Sequence, residues 1–179
     1  MAMSPVFEVG VLAFPDADAA GRVADGLRES NITDLVNDIS ILQHQPDGRF
    51  SVHAWSQETT RGAHMATGAV IGAIAGTLLL GPFGPLLGLL GGGAVGASMG
   101  GRDPHDLGLS EDFVTELRAS LPPGSSAVLV VGEPGEVGEL MGRIRATDAV
   151  ISKELHQPLT NEQAKAIRDA IEQEQQKKD

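Results

Sequence analysis

The sequence predicts an α+β domain, a ferredoxin-like split βαβ sandwich, with an inserted glycine-zipper helical hairpin and a C-terminal αβα extension. Strand patterns alternate with amphipathic helix patterns in the order βαββ and then αβαβα, on the two sides of one uncharged stretch. That stretch, residues 62–101, holds 13 of the 23 glycines and contains no Asp, Glu, Lys or Arg. We therefore expect an α/β domain formed by residues 1–61 and 102–179, and a separate inserted hairpin.

The first two elements are a strand and a helix. Residues 6–14 are almost continuously apolar and stop at Pro15, which predicts a largely buried strand. Residues 17–30 repeat apolar side chains at helical spacing, so they predict an amphipathic helix with Asp16 as its N-cap. Its apolar side consists of Ala20, Val23, Ala24 and Leu27.

A hairpin follows this helix. Residues 38–44 and 49–55 are both strand-like, and the segment Pro46-Asp47-Gly48 separates them. Proline fixes its own φ and glycine tolerates a positive φ, so this segment predicts a tight turn between two paired strands.

Five further elements are predicted after the insertion. Ser110 is placed as the N-cap of a helix, and residues 126–131 form the clearest buried strand in the chain. Ala149 begins a final short strand, and Thr160 begins a capping box for a last helix. The helix between these two strands has an apolar face made of Val137, Leu140, Met141 and Ile144.

The inserted stretch carries glycines at a strict four-residue spacing. These are Gly68, Gly72 and Gly76 in the first arm, then Gly84, Gly88, Gly92, Gly96 and Gly100 in the second. In a water-exposed helix each glycine costs about 1 kcal/mol relative to alanine, so an isolated soluble helix is disfavoured. In lipid, small residues allow helices to pack closely, so this stripe predicts helix packing between copies or within a bilayer.

A break in the middle of the stretch predicts a hairpin. The tip is formed by Gly81, Pro82, Phe83 and Pro85, and it separates two arms of about 24 to 28 Å each at about 1.5 Å per residue. Two destinations stay open: insertion into a membrane, or burial in the core of a soluble homo-oligomer. A disordered linker is a third interpretation, which the leucine-rich and isoleucine-containing runs disfavour.

Both ends of the hairpin return to one side, where basic and imidazole groups form an interfacial collar. The collar consists of Arg61, His64, Arg102 and His105. The arginines agree with the positive-inside tendency of cytoplasmic loops. With Asp103 and Asp106, the two histidines also suggest a metal-binding or pH-sensing cluster, but a polar collar is the favoured interpretation.

The composition excludes several classes of function. A formal charge of -11 disfavours nucleic acid as a partner, because phosphate binding requires clustered Lys and Arg. The absence of cysteine excludes disulfides and thiolate chemistry. The N-terminus has no basic segment before an apolar one, so we expect no secretory signal and a start in the cytoplasm.

No pattern for catalysis or for a cofactor is found. The segment Gly132 to Gly138 follows a strand and opens a helix, but its glycine spacing fits no phosphate loop and it contains Glu133 and Glu136. No nucleophile elbow is present. His44, His53 and His156 are interpreted as single histidines without a pattern. We expect no enzyme activity, no catalytic residue, no cofactor and no metal site.

The order of these features resembles a bacterial family of unknown function described as predicted membrane proteins, and is loosely similar to general stress proteins with a glycine-zipper insertion. The resemblance rests on residues 9–16, the hairpin that begins at Asp38, the zipper and the strand 126–131. It implies membrane association and a link to stress, and it supplies no site residues.

The sequence therefore predicts a non-enzymatic homo-oligomer at the inner membrane, with its acidic domain in the cytoplasm and its hairpin in the bilayer. Its expected partners are copies of itself and lipid. The alternatives are a soluble, cytoplasmic self-assembling protein with the hairpins buried in its core, and a module that senses an unknown small ligand.

Overall fold

The computed structural model describes residues 7–30, 38–55 and 110–159. Over these ranges the chain forms an α+β fold, as the sequence predicts, with five strands and three helices. The strands are β1 (Phe7–Phe14), β2 (Asp38–His44), β3 (Phe50–Trp55), β4 (Ser125–Gly132) and β5 (Lys153–Leu159). The helices are α1 (Ala19–Glu29), α2 (Glu111–Ala119) and α3 (Pro134–Arg145).

The five strands form one sheet in the order β3-β2-β4-β1-β5, and every neighbouring pair is antiparallel. Strand β4 lies between β1 and β2 in the sheet. In the sequence, helix α1, the hairpin of β2 and β3, and helix α2 separate β4 from β1. All eight residues of β4 are buried, as expected for a central strand with few polar side chains. Strand β5, one of the two outermost described strands, carries four polar residues, Lys153, Glu154, His156 and Gln157.

The hairpin of β2 and β3 confirms the turn prediction. Gln45 N–H donates to Arg49 O over 2.7 Å, and Gly48 N–H donates to Gln45 O over 2.9 Å. Gly48 has a φ of 85°, a backbone conformation that side chains other than glycine rarely adopt. Proline and glycine therefore act in this turn as the sequence indicates.

Helices α1 and α3 pack on one face of the sheet. Their apolar side chains join those of the strands in one cluster, which includes Leu12, Phe14, Val23, Leu27, Val128, Val130, Val137, Leu140, Met141 and Ile144. The four apolar positions predicted for α3 are all fully buried. Burying a side chain of this size stabilises a fold by about 1.5–3 kcal/mol, so this cluster dominates the stability of the described domain.

Helix α2 lies on the opposite face. Ser110 and Glu116 contact Gln157 and Lys153 of β5, which pair with β1 residues whose side chains point away from α1 and α3. Phe113 and Leu117 of α2 are buried, as is Leu121 just beyond it. Ser110 is the N-cap, as predicted, and its Oγ accepts a hydrogen bond from Phe113 N–H over 3.1 Å.

Two predicted starts differ from the structure by two residues or more. Helix α1 begins at Ala19 rather than at residue 17, because Asp16 forms a turn of its own with Asp18 N–H as donor over 2.7 Å. The last strand begins at Lys153 rather than at Ala149. Ala149 and Ile151 pack against the helix-side core without strand pairing, since Ser152 N–H is the group that first bonds to Ala13 O, over 2.8 Å.

Candidate functional site: an apolar groove and a histidine cluster

The residues predicted from sequence to act in packing and membrane contact lie outside the described residues. This holds for all eight zipper glycines, for the hairpin tip at residues 81–85 and for the collar of Arg61, His64, Arg102 and His105. The domain boundaries at residues 61 and 102 and the last predicted helix also lie outside them. These assignments stay predictions.

Within the described domain, a groove of about 690 Å³ runs between helix α1 and the segment that follows α3. Ala19, Val23 and Leu27 form the wall on α1, and residues 147–150 form the opposite wall. Most of the lining is apolar. This volume lies within the range of about 300 to 1,000 Å³ that is usual for small-molecule sites.

The two walls are fixed by hydrogen bonds at their ends. Ser126 Oγ, fully buried in β4, donates to Asp16 O over 2.6 Å and accepts from Ala20 N–H over 3.0 Å, so it ties the start of α1 to the sheet. On the other side, Thr147 Oγ1 donates to Ile144 O over 2.7 Å and closes the end of α3. These bonds hold the ends of both walls in place, although the second wall, residues 147–150, belongs to neither a helix nor a strand.

Charged groups stand at the rim of the groove in exposed ion pairs. Arg22 pairs with Asp16 at 2.9 Å, and Arg143 pairs with Glu139 at 2.6 Å. The hydrogen bond from Arg22, followed by that from Asp18 N–H, holds the pKa of Asp16 below its ordinary value. Pairs this exposed contribute little to stability, so the rim can exchange partners readily.

Val150 is the large apolar side chain most exposed in the described part of the chain, at 71 %. It lies at the groove, next to Ala149, which packs on the core. An isolated exposed valine needs no special explanation, but one beside an apolar groove extends the apolar surface available to a bound molecule.

A second group of side chains lies on the same face of the sheet, at strand β5. Both ring nitrogens of His156 contact carboxylates: Nδ1 contacts Glu8 Oε1, and Nε2 contacts Glu154 Oε1 at 2.8 Å. Arg145 Nη1 at the end of α3 donates to the same Glu154 oxygen over 2.5 Å. The four side chains form one chain of alternating charge across β1, β5 and α3.

These contacts shift two pKa values. Partial burial lowers the pKa of His156, but the hydrogen bonds and charges of Glu154 and Glu8 outweigh it, so the pKa is raised above 6.5. Partial burial raises the pKa of Glu154, but His156 and Arg145 outweigh it, so the pKa is lowered below 4.5. The shifts favour the charged form of both groups.

The described residues contain no group of three or more His, Cys, Asp or Glu side chains placed to hold a metal ion. In the histidine cluster, both nitrogens of His156 point at different carboxylates and not at a common centre. No helix among residues 7–30, 38–55 and 110–159 is long and apolar enough to cross a membrane.

Comparison with known proteins places the chain in a family. Residues 65–172, more than half of the chain, match the model of a protein family of unknown function, DUF1269. The chain belongs to this family. No curated protein and no solved structure matches the chain significantly.

The family match begins inside the predicted zipper and covers α2, β4, α3 and β5. It therefore includes His156, Glu154 and Arg145 of the histidine cluster and the 147–150 wall of the groove, but not Glu8 or helix α1. The resemblance predicted from sequence is confirmed as far as a family of unknown function.

Sequence reasoning missed both sites. It interpreted His156 as a histidine without a pattern, whereas the structure brings it between two carboxylates, one of them 148 residues away. One signal was available: Glu154 and His156 are two apart on a strand, so they share a face. The groove had no signal, because residues 149–151 were predicted to be a strand.

Proposed function

We propose that the protein is a non-enzymatic, membrane-associated homo-oligomer whose residues 62–101 form a glycine-zipper hairpin that inserts into the bilayer and packs between copies. One observation carries the proposal: forty consecutive residues lack any formal charge and place eight glycines at four-residue spacing. Such a stretch is unfavourable in water, and its free energy is lower in hydrocarbon or when it packs against copies of itself.

The proposed location is the inner membrane, with the acidic α+β domain in the cytoplasm. Arg61 and Arg102, one at each end of the hairpin, support that orientation. The proposed architecture of the domain is a ferredoxin-like split βαβ sandwich, with β3 as an added outer strand. The position of β4 between β1 and β2 supports it, since a split βαβ unit requires a strand in that place. The prediction that α3 and β5 belong to a C-terminal extension is corrected, because β5 pairs with β1 in the sheet and α3 packs in the core. A link to stress is proposed on the loose resemblance to general stress proteins.

Cell fractionation tests the membrane proposal. We expect the full-length chain in the membrane pellet, resistant to high salt and released by detergent. Replacement of Ile71 and Val95 by Lys should move it to the supernatant, because each charge near the centre of a membrane helix costs about 3 kcal/mol. Val150→Lys is the matched control, since Val150 is exposed on the described domain.

The same measurement separates the alternative of a soluble self-assembling protein. Discrete large particles in the supernatant without detergent would contradict the membrane proposal and support the soluble self-assembling protein. A monomer that stays in the supernatant would contradict both.

The groove beside α1 favours a second function, the binding of a small apolar molecule. Its volume of about 690 Å³ and apolar walls support this, with Arg22 and Arg143 at the rim for one anionic group. The acidic Asp16 and Asp148 also border the groove, so the apolar body of the ligand must supply most of the affinity.

Two glycines of α1 provide a matched test of this function. Gly26 borders the groove and Gly21 does not, and a Cβ at either position would meet no atom within 4 Å. Gly26→Phe should fill the groove and abolish retention of a co-purified small molecule in native mass spectrometry, whereas Gly21→Phe should preserve it. Equal retention in both variants, or none in the unmodified protein, would exclude a ligand in this groove.

A further inference from the structure

The contacts of His156 depend on its protonation state. A neutral imidazole has one N–H donor and one acceptor nitrogen, whereas an ionised carboxylate only accepts. Both nitrogens of His156 face carboxylate oxygens, of Glu8 and of Glu154. The two hydrogen bonds can therefore exist together only when the ring carries its second proton and a positive charge.

The position of His156 lets these bonds fasten an outer strand. His156 is paired with Gly10 of β1, and Glu8 and Leu12 of β1 are paired with Pro158 and Glu154 of β5. Residues directly opposite on paired strands share a face of the sheet, so His156 lies on the same face as Glu8 and Glu154. The bond from Arg145 to Glu154 extends the link to the end of α3.

We propose that His156, Glu8 and Glu154 form a pH-responsive clamp that holds strand β5 on β1 and α3 while the imidazole is doubly protonated, and loosens β5 when it loses a proton. This clamp acts within the α+β domain and does not depend on the proposed membrane function. Each neutral tautomer of His156 has a single N–H, so it retains at most one of the two hydrogen bonds to the carboxylates.

The charged groups that face His156 from the described elements define the pH range. They are Glu8 on β1, Glu154 on β5, and Arg145 on α3, which acts through Glu154. The raised pKa of His156 means that its contribution is complete below about pH 6.5 and is lost as the pH rises through the folded value. The lowered pKa of Glu154 means that its contribution is complete above about pH 4.5 and is lost as the pH falls through the folded value.

The composition makes the alkaline side of this range easy to test. The chain has no cysteine and no tyrosine, so between pH 6 and 9 its five histidines are the side chains whose ordinary pKa lies in the window. A change in local stability over that window therefore reports on histidine and not on other side chains.

Histidine NMR titration of the full-length chain gives the first measurement. The His156 resonance is assigned by its loss in His156→Gln. Its titration midpoint should lie above the ordinary histidine pKa of 6.5. In Glu8→Gln its midpoint should fall toward that value, because one of the two carboxylate charges is gone. A midpoint that is the same in the two proteins would overturn the role of Glu8.

The second measurement is hydrogen exchange of the backbone amides in residues 153–159, corrected for the intrinsic exchange rate. From pH 6 to pH 9 we expect the opening equilibrium of β5 to increase by about three- to tenfold, the range for an exposed charge-assisted hydrogen bond. In His156→Gln the opening should not depend on pH over this window. His53→Gln, at an exposed histidine on β3, is the matched control and should behave as the unmodified protein.

Two outcomes would overturn the clamp: β5 protection that does not change with pH in the unmodified protein, or the same pH dependence in His156→Gln. If His156→Gln does not fold, Glu8→Gln decides, since it retains the ring and removes one charge. A pH dependence as large in Glu8→Gln as in the unmodified protein would then reject the clamp.

Discussion

At the scale of single residues, Gly10 shows how an absent side chain determines packing. It lies in the middle of β1 on the face covered by α3. A Cβ at this position would stand 2.5 Å from Met141 Sδ and 2.7 Å from Val137 Cγ1. Glycine therefore lets α3 approach the sheet more closely than any other residue would, and side chains of α3 occupy the space above it.

We predict that Gly10→Ala lowers the free energy of unfolding by about 1–3 kcal/mol, the usual cost of overpacking a core. Urea denaturation measures this, with Gly138→Ala as control. Gly138 lies on α3 with open space around it, so alanine there should stabilise by up to about 1 kcal/mol through helix propensity.

A double-mutant cycle identifies the cause of the Gly10→Ala effect. Met141→Ala removes the sulfur that the new Cβ would meet, so the double variant should lose less stability than the sum of the two single variants. Strictly additive losses would show that the clash with Met141 is not the cause.

At the scale of the elements, α2 is defined by its first residue. Ser110 Oγ accepts from Phe113 N–H and also donates to Gln157 Oε1 of β5 over 2.8 Å. One hydroxyl thus caps the helix and attaches it to the sheet. Asp112 and Glu111 in the first turn and Arg118 in the last turn agree with the helix dipole.

We expect Ser110→Ala to destabilise the domain by about 1 kcal/mol or somewhat more, because both the cap and the bond to β5 are lost. Ser110→Thr retains the hydroxyl and should lose much less. Ser120→Ala, at the other end of α2, removes an Oγ bond to Glu116 O and should change stability by less than about 0.5 kcal/mol. Thermal unfolding of the three variants compares these effects, and equal losses for Ser110→Ala and Ser120→Ala would contradict them.

At the scale of the whole molecule, the chain joins an acidic domain to an uncharged stretch. The net charge of -11 is carried entirely outside residues 62–101. Charge of one sign opposes contact between the acidic domains of two copies, so we expect the proposed self-association to come from the uncharged stretch. In the proposed assembly, the glycine stripe allows close contact between copies of that stretch.

Leucine substitution in the zipper tests this division. We predict that Gly88→Leu or Gly92→Leu weakens self-association at least about tenfold, since a bulky side chain prevents close helix contact and overpacking costs about 1–3 kcal/mol. Analytical ultracentrifugation in detergent and in its absence measures the species formed. Gly138→Leu adds the same side chain on the exposed side of α3 and should leave the species unchanged.

A larger oligomer in Gly92→Leu, or an unchanged oligomer in both zipper variants, would show that the glycine zipper does not mediate self-association. A change in Gly138→Leu as large as that in Gly92→Leu would show that leucine acts through general aggregation.

The sequence by itself determined the features that depend on neighbouring residues. The buried strands β1 and β4, the apolar face of α3, the Ser110 cap and the Pro46 to Gly48 turn were all predictable, because backbone hydrogen bonds and amphipathic spacing act over a few positions. The start of β5 was misplaced, because apolar residues 149–151 look like a strand and only core packing outside the sheet explains them.

Only the tertiary structure decided which distant residues meet. The insertion of β4 between β1 and β2, the groove against α1, and the meeting of Glu8 with His156 all depend on sheet register and layer packing. Those contacts join segments more than eighty residues apart. Many pairings bury similar apolar area, so a pattern along the chain does not distinguish them, and the packing of the whole core does.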